Sequence, residues 1–109
     1  MKQIEFYTTL DGKCPYIDWI NSLSYEYQVR IDMRLKRVCE GNFGDHKRLQ
    51  NSALSELRFD FGKGYRIYYK ELDNVIILII AGSDKSDQNK IIKQADKYLK
   101  EYLTRSNND

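Results

Sequence analysis

The chain has 109 residues, 18 basic against 16 acidic side chains, a formal net charge of +2 and 41% hydrophobic residues. That suffices for one domain with a modest core, and the small net charge excludes a uniformly basic polymer binder while leaving room for local patches. Two cysteines without motif spacing, Cys14 and Cys39, fit a reducing cytosol better than a disulfide scaffold, and the single histidine, His46, offers no zinc signature.

The first residues, M-K-Q-I-E-F-Y-T-T-L, lack the apolar stretch of a signal peptide. The apolar run from Val75 to Ala81 is far too short to cross a membrane. The expectation is a soluble, cytoplasmic protein. From Gln3 to Thr9 apolar and polar residues alternate, which predicts a first strand, and Asp11-Gly12 turns it. A short helix is expected to begin around Pro15, with Tyr16, Ile17, Trp19, Ile20 and Leu23 available for burial. Ser24 is placed to cap a second helix from about Tyr25 to Glu40, which stops at Gly41-Asn42. Its apolar stripe is Tyr27, Ile31, Leu35 and Val38. Arg30, Arg34, Lys36 and Arg37 leave a basic surface, which reads as a solvated face or as electrostatic steering toward RNA phosphates or an acidic partner.

Residues 41–52 show no clear period and many turn formers, so they are expected to form a loop carrying His46, Lys47 and Arg48 together. Next comes S-E-L-R-F-D-F-G-K-G-Y-R-I-Y-Y, Ser55 to Tyr69, alternating on either side of Gly62-Lys63-Gly64. This is a β-hairpin pattern. A three-residue loop sets Phe61 against Tyr65, Phe59 against Ile67 and Leu57 against Tyr69 on an apolar face. The other face then pairs Asp60 with Arg66, Arg58 with Tyr68 and Glu56 with Lys70, and Gly64 supplies the left-handed residue. A tight turn at Asp73-Asn74 then pairs Leu72 with Val75 and Arg66 with Ala81. The run Val75 to Ala81, apolar throughout, reads as a central strand. The chain leaves it through Gly82-Ser83-Asp84-Lys85. Turn chemistry and register bring Lys85, Arg66 and Asp60 to one end of the sheet, a concentrated cationic corner. A final helix is predicted from about Asp87 to Thr104, with Ser86 or Asp87 as cap, a broad apolar stripe, and Lys90, Lys93, Lys97 and Lys100 facing out as solubilising charge. Residues 105–109 are expected to fray. The expected whole is a single α+β domain with a curved, mainly antiparallel sheet, two N-terminal helices and a C-terminal helix, in the order β-α-α-β-β-β-α.

Four stretches, G-N-F-G-D-H-K at 41–47, S-E-L-R at 55–58, G-K-G-Y-R-I-Y-Y at 62–69 and A-G-S-D-K-S-D-Q at 81–88, together resemble the addiction-module killer proteins, the HigB-like toxins of the RelE/ParE superfamily. W-I-N-S-L near position 19 also falls where that family has it. The resemblance spans nearly the whole chain. It departs at Lys63, where family members often carry proline, and this adds a cation near the site. The resemblance implies the RelE/ParE fold and the toxin of a type II toxin–antitoxin module that inhibits translation by cutting mRNA on the ribosome. The implied partners are a HigA-like helix-turn-helix antitoxin and mRNA in the ribosomal A site, with DNA reached only through the antitoxin complex, and no cofactor is implied.

Metal-free RNA cleavage requires a base for the 2′-hydroxyl, an acid for the leaving 5′-oxygen and cations for the phosphorane. Arg66 and Arg58 are the expected holders of the scissile phosphate, because a guanidinium fork matches two phosphate oxygens. Lys85 is the candidate for charge stabilisation or proton transfer. Tyr68 is a candidate to orient or stack a base, and His46 to act as general acid. Lys47, Arg48, Lys63, Arg34 and Arg37 complete the expected RNA-binding set. The same residues also fit structural roles: Arg66 as cross-strand partner of Asp60, Lys70 of Glu56, and Asp84-Lys85 as turn and cap. A metal-dependent nuclease is disfavoured because the acidic residues form no clustered ligand set. The rival activity within the superfamily is ParE-like inhibition of DNA gyrase without nuclease activity. A non-enzymatic rival is a decayed toxin kept as co-repressor.

Overall fold

The apolar run placed at the centre of the sheet forms a strand, Ile76–Ser83, that is paired on both sides. The computed structural model describes residues 1–107. Its elements are β1 (Gln3–Phe6), α1 (Pro15–Asn21), α2 (Tyr25–Cys39), β2 (His46–Arg48), β3 (Ser55–Arg58), β4 (Arg66–Glu71), β5 (Ile76–Ser83) and α3 (Gln88–Asn107). The five strands lie in the order β1-β5-β4-β3-β2. Three of the four pairings are antiparallel, while β1 runs parallel to β5, with Ile4 opposite Ile77 and Phe6 opposite Ile79. The fold class is therefore α+β with a mixed sheet covered on both faces.

On one face, α1 and α2 supply Tyr16, Ile20, Ile31, Leu35 and Val38, which close over Leu57, Phe59, Tyr65, Ile67, Tyr69, Ile77 and Ile79. The α2 stripe read from the sequence is the one that packs. On the other face, α3 lays Ala95 and Leu99 over Tyr7, Leu54, Tyr68, Leu78, Ile80 and Ala81. A strand buried on both sides can be apolar at successive positions, which is why β5 breaks the period-two pattern of its neighbours. Trp19 of α1 lies flat on β5 at Gly82, where an added Cβ would fall 2.2 Å from the indole.

Several expectations are corrected. Residues 46–48, expected in a loop, form β2, because Lys47 pairs with Glu56 and extends the sheet by an edge strand. The β3–β4 register differs by two residues: Arg58 faces Arg66, Leu57 faces Ile67 and Glu56 faces Tyr68. The Phe59 N–H donates to the Tyr65 carbonyl at 3.0 Å, so the loop spans residues 60–64, with positive φ at both Gly62 and Gly64. A shift of two preserves which face each side chain takes. The β4–β5 turn also carries one residue more than expected. Leu72 pairs with Ile76, because Asp73 Oδ1 accepts the N–H groups of both Val75 and Ile76. A bulge between Tyr68 and Tyr69 then sets Arg66 opposite Ser83 rather than Ala81. The C-terminal helix runs to Asn107, beyond the end expected at about Thr104, and the Arg105 guanidinium binds Glu101 at 2.8 Å and the Thr8 carbonyl at 2.9 Å. The rest of the expected frayed tail, Asn108 and Asp109, lies outside the described residues.

Candidate active site

Strand register builds the site at the hairpin end of the sheet. Arg58 and Arg66 stand opposite one another on β3 and β4, so their side chains share the sheet face that also carries Glu56 and α3. One residue past the end of β5, the chain turns at Asp84, and the Lys85 N–H reaches the Lys63 carbonyl at 3.3 Å. The Lys85 stem crosses the glycine loop closely. The φ of +73° favours glycine at position 64, and a Cβ there would approach the Lys85 Cε to 2.8 Å and push that stem aside. An open polar cleft of about 480 Å³ results, lined by Asp45, Arg58, Phe59, Asp60, Gly62, Gly64, Arg66 and Lys85.

Each arginine is held differently. Arg66 is largely buried, its Nε 3.9 Å from Glu56 and its Nη1 near the carbonyls of Gly64 and Tyr65 at 3.4 and 3.3 Å. Glu56 is itself only 4% exposed and sits between Arg66 and Lys47, the latter 4.0 Å away. This carboxylate anchors Arg66 from behind and leaves the guanidinium facing the cleft. Arg58 directs both Nε and Nη2 at Asp45 Oδ1, at 3.0 and 2.7 Å. That hydrogen-bonded pairing holds the Asp45 carboxyl below the usual carboxylate range and raises Arg58. Asp45 therefore occupies the Arg58 fork.

Asp45 was missing from the residues assigned from sequence. Its only cue is a place in G-D-H-K, which becomes informative once residues 46–48 are seen to pair beside the arginine-bearing strand. Its backbone is fixed from two directions, because the Asp45 carbonyl accepts from the Arg58 N–H at 2.9 Å and from Arg34 Nη2 at 2.6 Å.

The other expected site residues separate by location. Lys47 shares the face of Glu56, is half exposed and flanks the cleft through that carboxylate. Lys63 is exposed at the hairpin tip. Arg48 is exposed on the edge strand, on the face opposite Lys47. His46 stands opposite Leu57 and so on the α1/α2 face, its ring 5.2 Å from Phe43 and its Nδ1 2.8 Å from the Gly44 carbonyl, away from the arginines. A general-acid role for His46 at this cleft loses its geometric basis. Tyr68 is fully buried under α3, its hydroxyl 2.8 Å from the Ser83 hydroxyl, and burial pushes its pKa up to about 12. It has no face to offer a nucleobase. Arg34 is structural: its guanidinium bonds the carbonyls of Phe43, Arg58 and Asp45 and lies over the Phe59 ring. Arg37 lines a neighbouring groove with Arg30 and Met33 that shares Phe59 and Asp60 with the cleft.

Among the described residues, no three His, Cys, Asp or Glu side chains come together as a metal-binding group, and no helix is long and apolar enough to cross a membrane. No known family model matches the chain. An uncharacterized protein of Haemophilus influenzae is 41% identical over 93 residues, which covers 84% of this chain and 89% of that protein.

Proposed function

The chain belongs to the same family as this Haemophilus influenzae protein, and we propose that it is a HigB-like toxin of the RelE/ParE superfamily, a ribosome-dependent mRNA endonuclease of a type II toxin–antitoxin module. The observation that carries this reading is the convergence of Arg58, Arg66 and Lys85 on one open cleft. Three cations brought from two strands and a strand exit, with a buried carboxylate behind one of them, make a site for a phosphodiester about to gain charge.

In the proposed reaction the 2′-oxygen of one nucleotide loses its proton and attacks the adjacent phosphorus. The bond to the 5′-oxygen breaks, and that oxygen takes a proton. The products are a 2′,3′-cyclic phosphate and a 5′-hydroxyl. Arg66, fixed by Glu56, contributes a fork to the non-bridging oxygens. Arg58 contributes the second once the phosphate replaces Asp45 on its Nε and Nη2. Lys85, exposed on a stem held against Gly64, serves the developing charge or the leaving oxygen. With Tyr68 buried and His46 on the opposite face, neither of these two side chains reaches the scissile bond. Positioning of the message falls to the ribosome. By resemblance the neutralising partner is a HigA-like antitoxin.

The test is primer extension on a reporter mRNA in a reconstituted translation system, with wild type, Arg66→Ala and Lys85→Ala, each with and without ribosomes. Discrete cuts that require ribosomes and weaken at least ~100-fold in both variants are expected, in line with losing one transition-state donor. Growth arrest with intact mRNA would overturn the reading and direct the next assay to DNA gyrase. A protein that neither cuts nor arrests growth would indicate a co-repressor.

A further inference from the structure

The positive charge of this molecule is not spread evenly. Helix α3 carries five basic residues against two acidic ones, a net charge of +3, whereas the whole chain has +2. The rest of the chain, its connecting segments included, thus sums to −1. Lys90, Lys93, Lys97 and Lys100 follow one another at spacings of three and four, which places them along one side of the helix over about 15 Å. All four are exposed, opposite the Ala95 and Leu99 seam that packs on the sheet. The two acids of α3 are engaged at its flanks: Asp96 accepts the Ser52 hydroxyl at 2.7 Å, and Glu101 accepts Tyr7 and Arg105 at 2.5 and 2.8 Å. Among the described residues, none of the four lysines forms an ion pair. The helix begins three residues after Lys85, so the row starts at the cleft end of the sheet and leads away from it.

We propose that the Lys90-Lys93-Lys97-Lys100 row on α3 is a binding track for the phosphodiester backbone of RNA, separate from the cleft and read by charge alone. A solubilising surface gains from mixed signs, whereas here four lysines follow one another in register and the two carboxylates of the helix are taken up by Ser52, Tyr7 and Arg105. A membrane surface fits less well, because the apolar side chains exposed beside the row are few, Leu10 next to Lys97 and Lys100 at 76% and Leu103 at 41%, short of the apolar face a membrane-surface helix needs. The track goes beyond the cleavage reading and stands without it.

The test uses a fluorescein-labelled 2′-O-methyl RNA 12-mer, which lacks the nucleophile and remains intact, titrated by anisotropy between 50 and 200 mM salt. Wild type is compared with the four-fold Lys→Gln variant, which keeps helix propensity, and with the four-fold Lys→Arg variant, which keeps charge. Loss of four phosphate contacts should flatten the slope of log affinity against log salt by about 2.8, and Lys→Arg should retain it. The same contacts account for a roughly 50-fold affinity loss across that salt range in wild type, which the Gln variant should not show. If the four-fold Gln variant loses helicity, Lys93→Gln with Lys97→Gln decides instead, with an expected slope change of about 1.4. Equal slopes for wild type and Gln variants, or loss of binding to phosphatidylserine vesicles with RNA binding unchanged, would overturn the proposal. Cleavage on ribosomes is scored separately. A wild type that binds through the row without cutting removes only the nuclease reading, and one that cuts while the Gln variant binds RNA equally removes only the track.

Discussion

Two tyrosine hydroxyls, each out of water, have opposite prospects. The Tyr68 hydroxyl meets Ser83, and both residues are fully buried. The Tyr16 hydroxyl is buried without a hydrogen-bond partner among the described residues, beneath Phe6 and beside Trp19. A buried group left unmatched costs more than its bond contributes, while removing an already unmatched group costs little. Tyr68→Phe should therefore destabilise by about 1 kcal/mol, because Ser83 then loses its partner. Tyr16→Phe should be neutral or slightly stabilising. Thermal unfolding of the two variants beside wild type checks this, with an expected drop of roughly 4–6 °C for Tyr68→Phe only. A larger loss at Tyr16 would mean that its hydroxyl has a partner after all. Arg34 teaches a related lesson about charge. Six residues separate Arg34 from the Gly41 stop signal, and it looks like a solvated cation on a helix. It instead ties the segment after α2 and the end of β3 through three carbonyls.

At the level of the elements, the glycine loop between β3 and β4 decides where Lys85 lies. Gly64 has φ +73°, and a side chain there meets the Lys85 stem; Gly12 has φ +88° with nothing within 4 Å of an added Cβ. Alanine should strain both backbones by roughly 1–2 kcal/mol. Only Gly64→Ala should also reduce ribosome-dependent cleavage, by displacing Lys85. Equal cleavage by the two variants, at matched folded fraction, would remove Lys85 placement as the reason for this glycine. The same loop shows what could be read from sequence. Period-two alternation assigned Leu57, Phe59, Tyr65, Ile67 and Tyr69 to one face and Arg58 and Arg66 to the other, since faces follow from pleating alone. Register did not follow, because it depends on where the loop closes. Two left-handed glycines close it after Phe59 rather than after Phe61, and Asp73 adds a residue to the next turn. β2 was hidden for another reason. Three exposed residues, His46, Lys47 and Arg48, carry no apolar period, and only the pairing with β3 makes them a strand. Tyr68 was misplaced because the polar-looking face of the hairpin is itself covered by α3.

For the molecule as a whole, the sheet is stabilised from both faces, and its joints depend on aspartates at element ends. Asp45 binds Arg58 where β2 begins, Asp73 binds the Val75 and Ile76 N–H groups in the β4–β5 turn, and Asp84 binds Ser86 between β5 and α3. Hydrogen bonds hold all three carboxyls below the usual aspartate range. A carboxyl whose folded pKa lies below its unfolded value, about 3.9 for aspartate, contributes stability in full above that unfolded value. The contribution is lost as pH falls toward and through the folded value, because the unfolded chain then binds protons that the folded one refuses. Each of these groups is solvent-exposed, so each effect is small and screened by salt. They act together because they lie at three separate joints. Unfolding temperature should therefore stay level from pH 7 to about 5 and decline below about 4. Asp73→Asn should start lower at neutral pH, because it weakens acceptance from two backbone donors, and should decline less on acidification. A melting temperature that rises between pH 5 and 3, or an Asp73→Asn variant with the wild-type acid slope, would show that other groups govern the acid limb.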